Sequence, residues 1–67
     1  MDIDNVFTYH PPSPSQIERY EGIRKHARAL ARLLTESCPE SRELSLALTN
    51  LQQSVMWANA AIAINEP

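Results

Sequence analysis

A chain of 67 residues holds one domain at most, and buries too little surface to stand alone without disulfides, a metal or association. One cysteine, Cys38, excludes an intramolecular disulfide, and His10, His26 and Cys38 match no zinc-ligand spacing, which leaves association of several copies. A net charge of -2 and a pI of about 5.5 disfavour a protein that wraps long DNA or RNA, while a local basic patch stays open.

Residues 1–13 read as an extended arm. Met1-Asp2-Ile3-Asp4 is acidic and has no apolar signal-peptide core, so a cytosolic protein is expected. Pro11 and Pro12 forbid a regular helix and push His10 toward extended backbone. Val6, Phe7 and Tyr9 give the arm more apolar and aromatic surface than a disordered tail carries, which predicts that it docks on something.

Residues 14–36 read as a helix. Ser13 is placed as the N-cap, Pro14 at the first helical position and Gln16 three residues on, completing a capping box. Ile17, Tyr20, Ile23, Ala27, Leu30 and Leu34 recur at spacings of three and four and predict one apolar stripe. Gly22 costs this helix about 1 kcal/mol relative to Ala. The connection, 37–41, contains Pro39, which ends the first helix. Either Ser37 with Glu40, or Ser41 alone, caps the second. A connection this short forces an antiparallel αα-hairpin.

The second helix is placed over 40–65. Leu44, Leu48, Leu51, Val55, Ala58 and Ile62 form a heptad seam to pack on the first helix. Leu46, Ala47, Met56, Trp57, Ala60, Ala61, Ala63 and Ile64 cover most of the rest of its surface, more than one partner helix can bury. Trp57 is therefore expected at an interface between copies. The nearly apolar run Val55 to Ile64 is interrupted by Asn59 and is too short to span a bilayer, so no membrane is expected. The fold class is all-α: a two-helix antiparallel hairpin with an N-terminal arm, one domain over 1–67, assembled into a homo-oligomer.

Catalysis finds little support. Cys38 lies in the connection beside Pro39, its only imidazole partners are His10 on the arm and His26 in mid-helix, which leaves a pair across subunits as the one nucleophilic arrangement open, and no nucleotide-binding or metalloprotease motif is present. No catalytic residue, metal or cofactor is expected, and a metal-dependent hydrolase using Glu40 or Glu43 is the weakest of the readings. The basic residues say more. Five of the six lie in the first helix, and Arg24, Arg28 and Arg32 share one face with Lys25 beside them. Such a ridge can hold phosphates through bidentate contacts. The helix pattern alone fits a solvated face, with Glu21 pairing Lys25 and Glu36 pairing Arg32. The arm shifts the balance: Tyr9 and His10 are flat rings beside a stiff Pro-Pro segment, and rings on bases with cations on phosphates are how short nucleotides are held. Tyr9 could equally latch over the hairpin with Phe7, and His26 could be a plain surface residue.

Several segments carry a family resemblance: Phe7-Thr8-Tyr9-His10-Pro11-Pro12, Arg19-Tyr20-Glu21-Gly22-Ile23-Arg24, Ser41-Arg42-Glu43-Leu44-Ser45-Leu46-Ala47-Leu48-Thr49 and Val55-Met56-Trp57-Ala58-Asn59-Ala60-Ala61-Ile62-Ala63. Together they resemble the short hairpin proteins of tailed bacteriophages that act as anti-CBASS sponges, whose hairpin is shared with anti-Thoeris sponges. The resemblance implies a homohexamer that binds cyclic di- and trinucleotide second messengers without cleaving them and so blocks effector activation in the cytoplasm of the infected bacterial host. It also implies pockets built from two protomers, with Tyr9 stacking on a base and Arg24, or alternatively Lys25, as the basic ligand. His26 falls where the family uses a polar contact, commonly Thr, which leaves base preference open. The candidate ligand-binding set is Tyr9, His10, Arg24, Lys25, His26 and Arg28. The alternative from another class is a protein-interaction or structural module using the apolar face of the second helix.

Overall fold

The computed structural model describes residues 1–66; the expected single-domain range reaches Pro67, outside the described residues. Among the described residues the chain is all helical, without strands: α1 (Ile3–Val6), α2 (Pro14–Ser37) and α3 (Arg42–Asn65). α2 and α3 pack side by side as the antiparallel hairpin.

The start of α2 follows its signals. The Ser13 hydroxyl accepts from the Gln16 N–H at 3.2 Å, and the Gln16 side-chain oxygen accepts from the Ser13 N–H at 3.0 Å, with Pro14 at the first position. The helix runs one residue past its expected end, to Ser37, because Cys38 still donates its N–H to the Leu34 carbonyl at 3.0 Å. Cys38 is then extended, as the residue before a proline prefers. α3 begins at Arg42, two residues later than expected. Ser41 alone is the cap: its hydroxyl accepts from Leu44 N–H at 3.1 Å and donates to the Pro39 carbonyl at 3.0 Å, which leaves Pro39 and Glu40 outside the helix.

The arm departs from the extended chain expected over 1–13. Its first half contains one helical turn, α1. Asp2 caps it, with Oδ1 accepting from Asn5 N–H at 3.1 Å, and Val6 and Phe7 donate their N–H groups to Asp2 and Ile3 carbonyls at 3.0 and 3.1 Å. The prolines restrict only the backbone beside them, so the cap at Asp2 acts unopposed. Residues 9–13 are without helix.

The six seam residues of α3, Leu44 through Ile62, are all half-buried, as the heptad spacing requires. On α2 the stripe is rotated. Tyr20, Ile23, Ala27 and Leu34 are half-buried, but Ile17 and Leu30 are each 44% exposed, and Gln16 and Ala31 take the places nearer the seam. The hairpin measures 43 × 26 × 12 Å, so it is about one helix diameter deep. A slab of that depth has no interior, and among the described residues no apolar side chain is fully buried. Its accessible surface is 5577 Å². A compact monomer of this mass exposes about 4,300 Å², roughly 1,300 Å² less. Much of the excess is apolar: Leu33, Leu46, Met56 and Trp57 all stand in solvent.

Candidate functional site

α2 presents the cations. Arg24, Lys25, Arg28 and Arg32, with Glu21 and Ala29, line one depression of about 440 Å³ on its outer side. Arg24, Arg28 and Arg32 lie one turn apart, so their guanidinium groups project from one face. The pairs that would have made this a self-neutralised surface do not form. Among the described residues the one ion pair is Arg19–Glu66, and neither Glu21–Lys25 nor Arg32–Glu36 comes within ion-pair distance. Four cations thus share a depression with one acid, on a protein whose net charge is -2. That arrangement suits a compact polyanion, because guanidinium groups match phosphate oxygens in pairs.

His26 faces elsewhere. It borders the groove formed by Glu18, Arg19, Gly22, Ile23 and Ile62, about 540 Å³. Its Nδ1 lies 2.8 Å from the Gly22 carbonyl oxygen. A carbonyl only accepts, so Nδ1 carries the proton and Nε2 is left as an acceptor. Gly22 opens the same groove: a Cβ placed there would meet nothing within 4 Å. The sequence set is therefore divided within one protomer. Arg24, Lys25 and Arg28 come together, and His26 belongs to a neighbouring groove.

Tyr9 and His10 belong to the arm, at the end of the hairpin where α2 starts and α3 finishes. Arg24 stands about 15 Å along α2 from Pro14. The Tyr9 ring is 81% exposed, so it does not latch onto the hairpin. Phe7, expected as its companion in that role, is exposed as well. His10 is half-buried, with Nε2 2.7 Å from the Asn5 carbonyl oxygen; by the same argument Nε2–H donates. Asn5 Nδ2 in turn donates to the Ile64 carbonyl at 3.0 Å, joining the arm to the last turn of α3.

Sequence reasoning missed the polar cluster at this open end. Arg19 donates to both carboxylate oxygens of Glu66, from Nη1 at 2.6 Å and Nη2 at 2.5 Å, and Gln16 Nε2 donates to Glu66 Oε1 at 3.1 Å. The hydrogen bond from Arg19, then that from Gln16, holds the Glu66 carboxyl at about 2, against its ordinary 4.5, and the pairing raises Arg19. Gln16 serves the α2 cap and Glu66 at once, and it is the one buried side chain among the described residues, at 8% exposure. The available signal was the hairpin itself. Antiparallel helices of equal length place the first turn of one beside the last residue of the other, and Arg19 and Glu66 are of opposite charge.

Among the described residues no three His, Cys, Asp or Glu side chains gather as a metal site would require, and no helix is long and apolar enough to cross a membrane. No curated protein and no solved structure matches the chain. A family model does: the one described as Acb2/Tad1, hairpin domain, matches residues 1–63, nearly the whole chain and all three helices up to the last turn of α3. With the capped αα-hairpin, the aromatic arm and the cationic face all inside the matched stretch, the chain belongs to the Acb2/Tad1 hairpin-domain family of anti-CBASS and anti-Thoeris sponges.

Proposed function

We propose that this chain is a bacteriophage sponge that assembles from several copies and binds the cyclic di- and trinucleotide messengers of bacterial immunity, holding them intact. The observation that carries the reading is the cationic face of Arg24, Lys25, Arg28 and Arg32, unpaired among the described residues, on an otherwise acidic protein. A cyclic dinucleotide presents two phosphates and two bases around a two-fold axis. One protomer offers its cations on α2 and its free ring, Tyr9, on an arm that joins α2 about 15 Å along the helix from Arg24. Two copies facing each other supply two rings and two cation sets, with the symmetry of the ligand. The surface excess and exposed apolar residues of the isolated hairpin support assembly, with the hexamer of the family as the expected form.

The proposed action is stoichiometric: each bound messenger is withheld from its effector in the cytoplasm of the infected host, with no bond broken. The test is to incubate purified protein with a 3′,3′-linked cyclic dinucleotide, remove free ligand, denature by heat and weigh the released nucleotide by mass spectrometry. Recovery of intact cyclic ligand supports the sponge. A linear product shows an enzyme instead, and no recovered ligand favours the alternative reading. That alternative is a protein-interaction module, which the exposed Leu46, Met56 and Trp57 on α3 favour. It requires those residues to stay exposed in the purified protein.

A further inference from the structure

We infer that Asn5 is a positioning residue which, with His10, fixes the arm on α3 and so sets where the Tyr9 ring stands. The inference rests on the reading of Tyr9 as a base-stacking residue and adds a residue to it.

The arm has little apolar packing to hold it: of its apolar side chains Val6 alone is half-buried. Ile3 is 65% exposed, Phe7 82% and Tyr9 81%. Apolar side chains that stay in water contribute nothing to order. The arm is instead fastened by polar bonds at two places, and Tyr9 lies between them. Downstream, Ser13 and Gln16 lock the chain into α2 through the capping box. Upstream, Asn5 is the junction. Its Nδ2 donates to the Ile64 carbonyl of α3, its own carbonyl accepts from His10 Nε2–H at 2.7 Å and from Thr8 N–H at 3.4 Å, and its N–H donates to the Asp2 cap. Ile64 lies in the last turn of α3, where carbonyls have no intrahelical donor, so the Asn5 amide fills a place the helix leaves open. His10 closes the loop back onto Asn5 from the residue next to Tyr9. Pro11 and Pro12 remove most of the remaining freedom before Ser13. The arm is thus a short bridge pinned to the end of α3 and the start of α2, with its ring held outward before any ligand arrives. Preorganisation of this kind strengthens binding by removing an ordering cost.

The chemistry requires an amide at position 5. A carboxylate of the same size cannot donate, and would set its oxygen against the Ile64 carbonyl. Asn5→Asp therefore cuts the tether while keeping an acid-tolerant position in the first turn of α1. Asn5→Gln keeps the donor. The test combines amide hydrogen exchange of the ligand-free protein with calorimetric titration by a 3′,3′-linked cyclic dinucleotide, in wild type, Asn5→Asp, Asn5→Gln, Tyr9→Ala and the Asn5→Asp/Tyr9→Ala double variant. For Asn5→Asp we expect faster exchange over residues 3–10, unchanged assembly mass and binding weakened about 2- to 10-fold, the range for one lost hydrogen bond. Asn5→Gln should restore part of the affinity. In the Tyr9→Ala background Asn5→Asp should cost nothing more, because it acts through that ring. Wild-type affinity in Asn5→Asp overturns the inference, as does an equal loss with and without Tyr9. If wild type binds no cyclic dinucleotide, the reading of Tyr9 falls, and exchange alone judges the tether: unchanged exchange in Asn5→Asp overturns it, faster exchange upholds it.

Discussion

Replacing Trp57 by Ala separates a self-sufficient hairpin from one that needs its copies. Trp57 is 74% exposed in the protomer. A tryptophan hides up to about 250 Å² when buried, so about 185 Å² of this residue remains to be covered. At about 25 cal/mol per Å² its burial between copies contributes about 4.6 kcal/mol per chain, an upper figure worth about 2,000-fold in association. The quarter already covered within the hairpin accounts for only about 1.6 kcal/mol. The two cases differ in kind. With Trp57 at an interface, Trp57→Ala lowers the assembly mass by light scattering, and the variant's unfolding midpoint becomes strongly dependent on protein concentration. With Trp57 in solvent, the mass holds and the midpoint shifts by a few degrees. The wild type carries its own reporter, since Trp57 is the one tryptophan of the chain. Its emission should be that of a buried indole at high concentration and shift toward that of a solvated one on dilution. An unchanged mass in Trp57→Ala, with solvated emission in the wild type, would refute the interface placement.

Three further outcomes are expected. Arg24→Ala should weaken cyclic-dinucleotide binding about 10- to 100-fold in titration, the range for a lost charged hydrogen bond, with thermal unfolding unchanged, because Arg24 is exposed and holds no ion pair among the described residues. Gly22→Ala should raise the unfolding midpoint by about 4–8 °C, since the helix gains about 1 kcal/mol and the new methyl meets nothing within the protomer; a fall would show that another copy occupies that space. Glu66 sets an acid limit. Its carboxyl is lowered from 4.5 to about 2, so the stability it contributes is fully present above pH 4.5 and is lost as pH falls toward 2. The difference in midpoint between wild type and Glu66→Gln should therefore be constant above pH 4.5 and close below it. A difference independent of pH over that window would show that the Arg19–Glu66 pair does not form in solution.

The parts of the fold that were legible are those set by local chemistry. Ser13, Pro14 and Gln16 fix the start of α2 from three closely spaced signals, and the period of Leu44, Leu48, Leu51, Val55, Ala58 and Ile62 picks half-buried positions of α3, although Ala47, Ala60, Ala63 and Ile64, expected on the rest of its surface, are half-buried as well. The rotated stripe of α2 was harder. Ile17 and Leu30 share the spacing of Tyr20 and Ile23, and only the packing direction of α3 decides that Gln16 and Ala31 lie closer to the seam. α1 was hidden because one turn rests on a single cap at Asp2, a signal weaker than the two prolines that follow. In the candidate site, the shared face of Arg24, Arg28 and Arg32, with Lys25 beside them, came directly from helical spacing. The separation of His26 into another groove did not, since the groove is partly made by Ile62 of the other helix. Asn5 gave no sign at all. A lone asparagine in an acidic N-terminal segment acquires meaning only when the end of α3 lies beside it.

The most direct test of the account is calorimetric titration of the purified protein with a panel of cyclic di- and trinucleotides, followed by recovery of the ligand. The account predicts tight binding of a cyclic dinucleotide at one molecule per two chains, with the ligand recovered intact. Absence of binding across the panel, or recovery of a linear product, would contradict it.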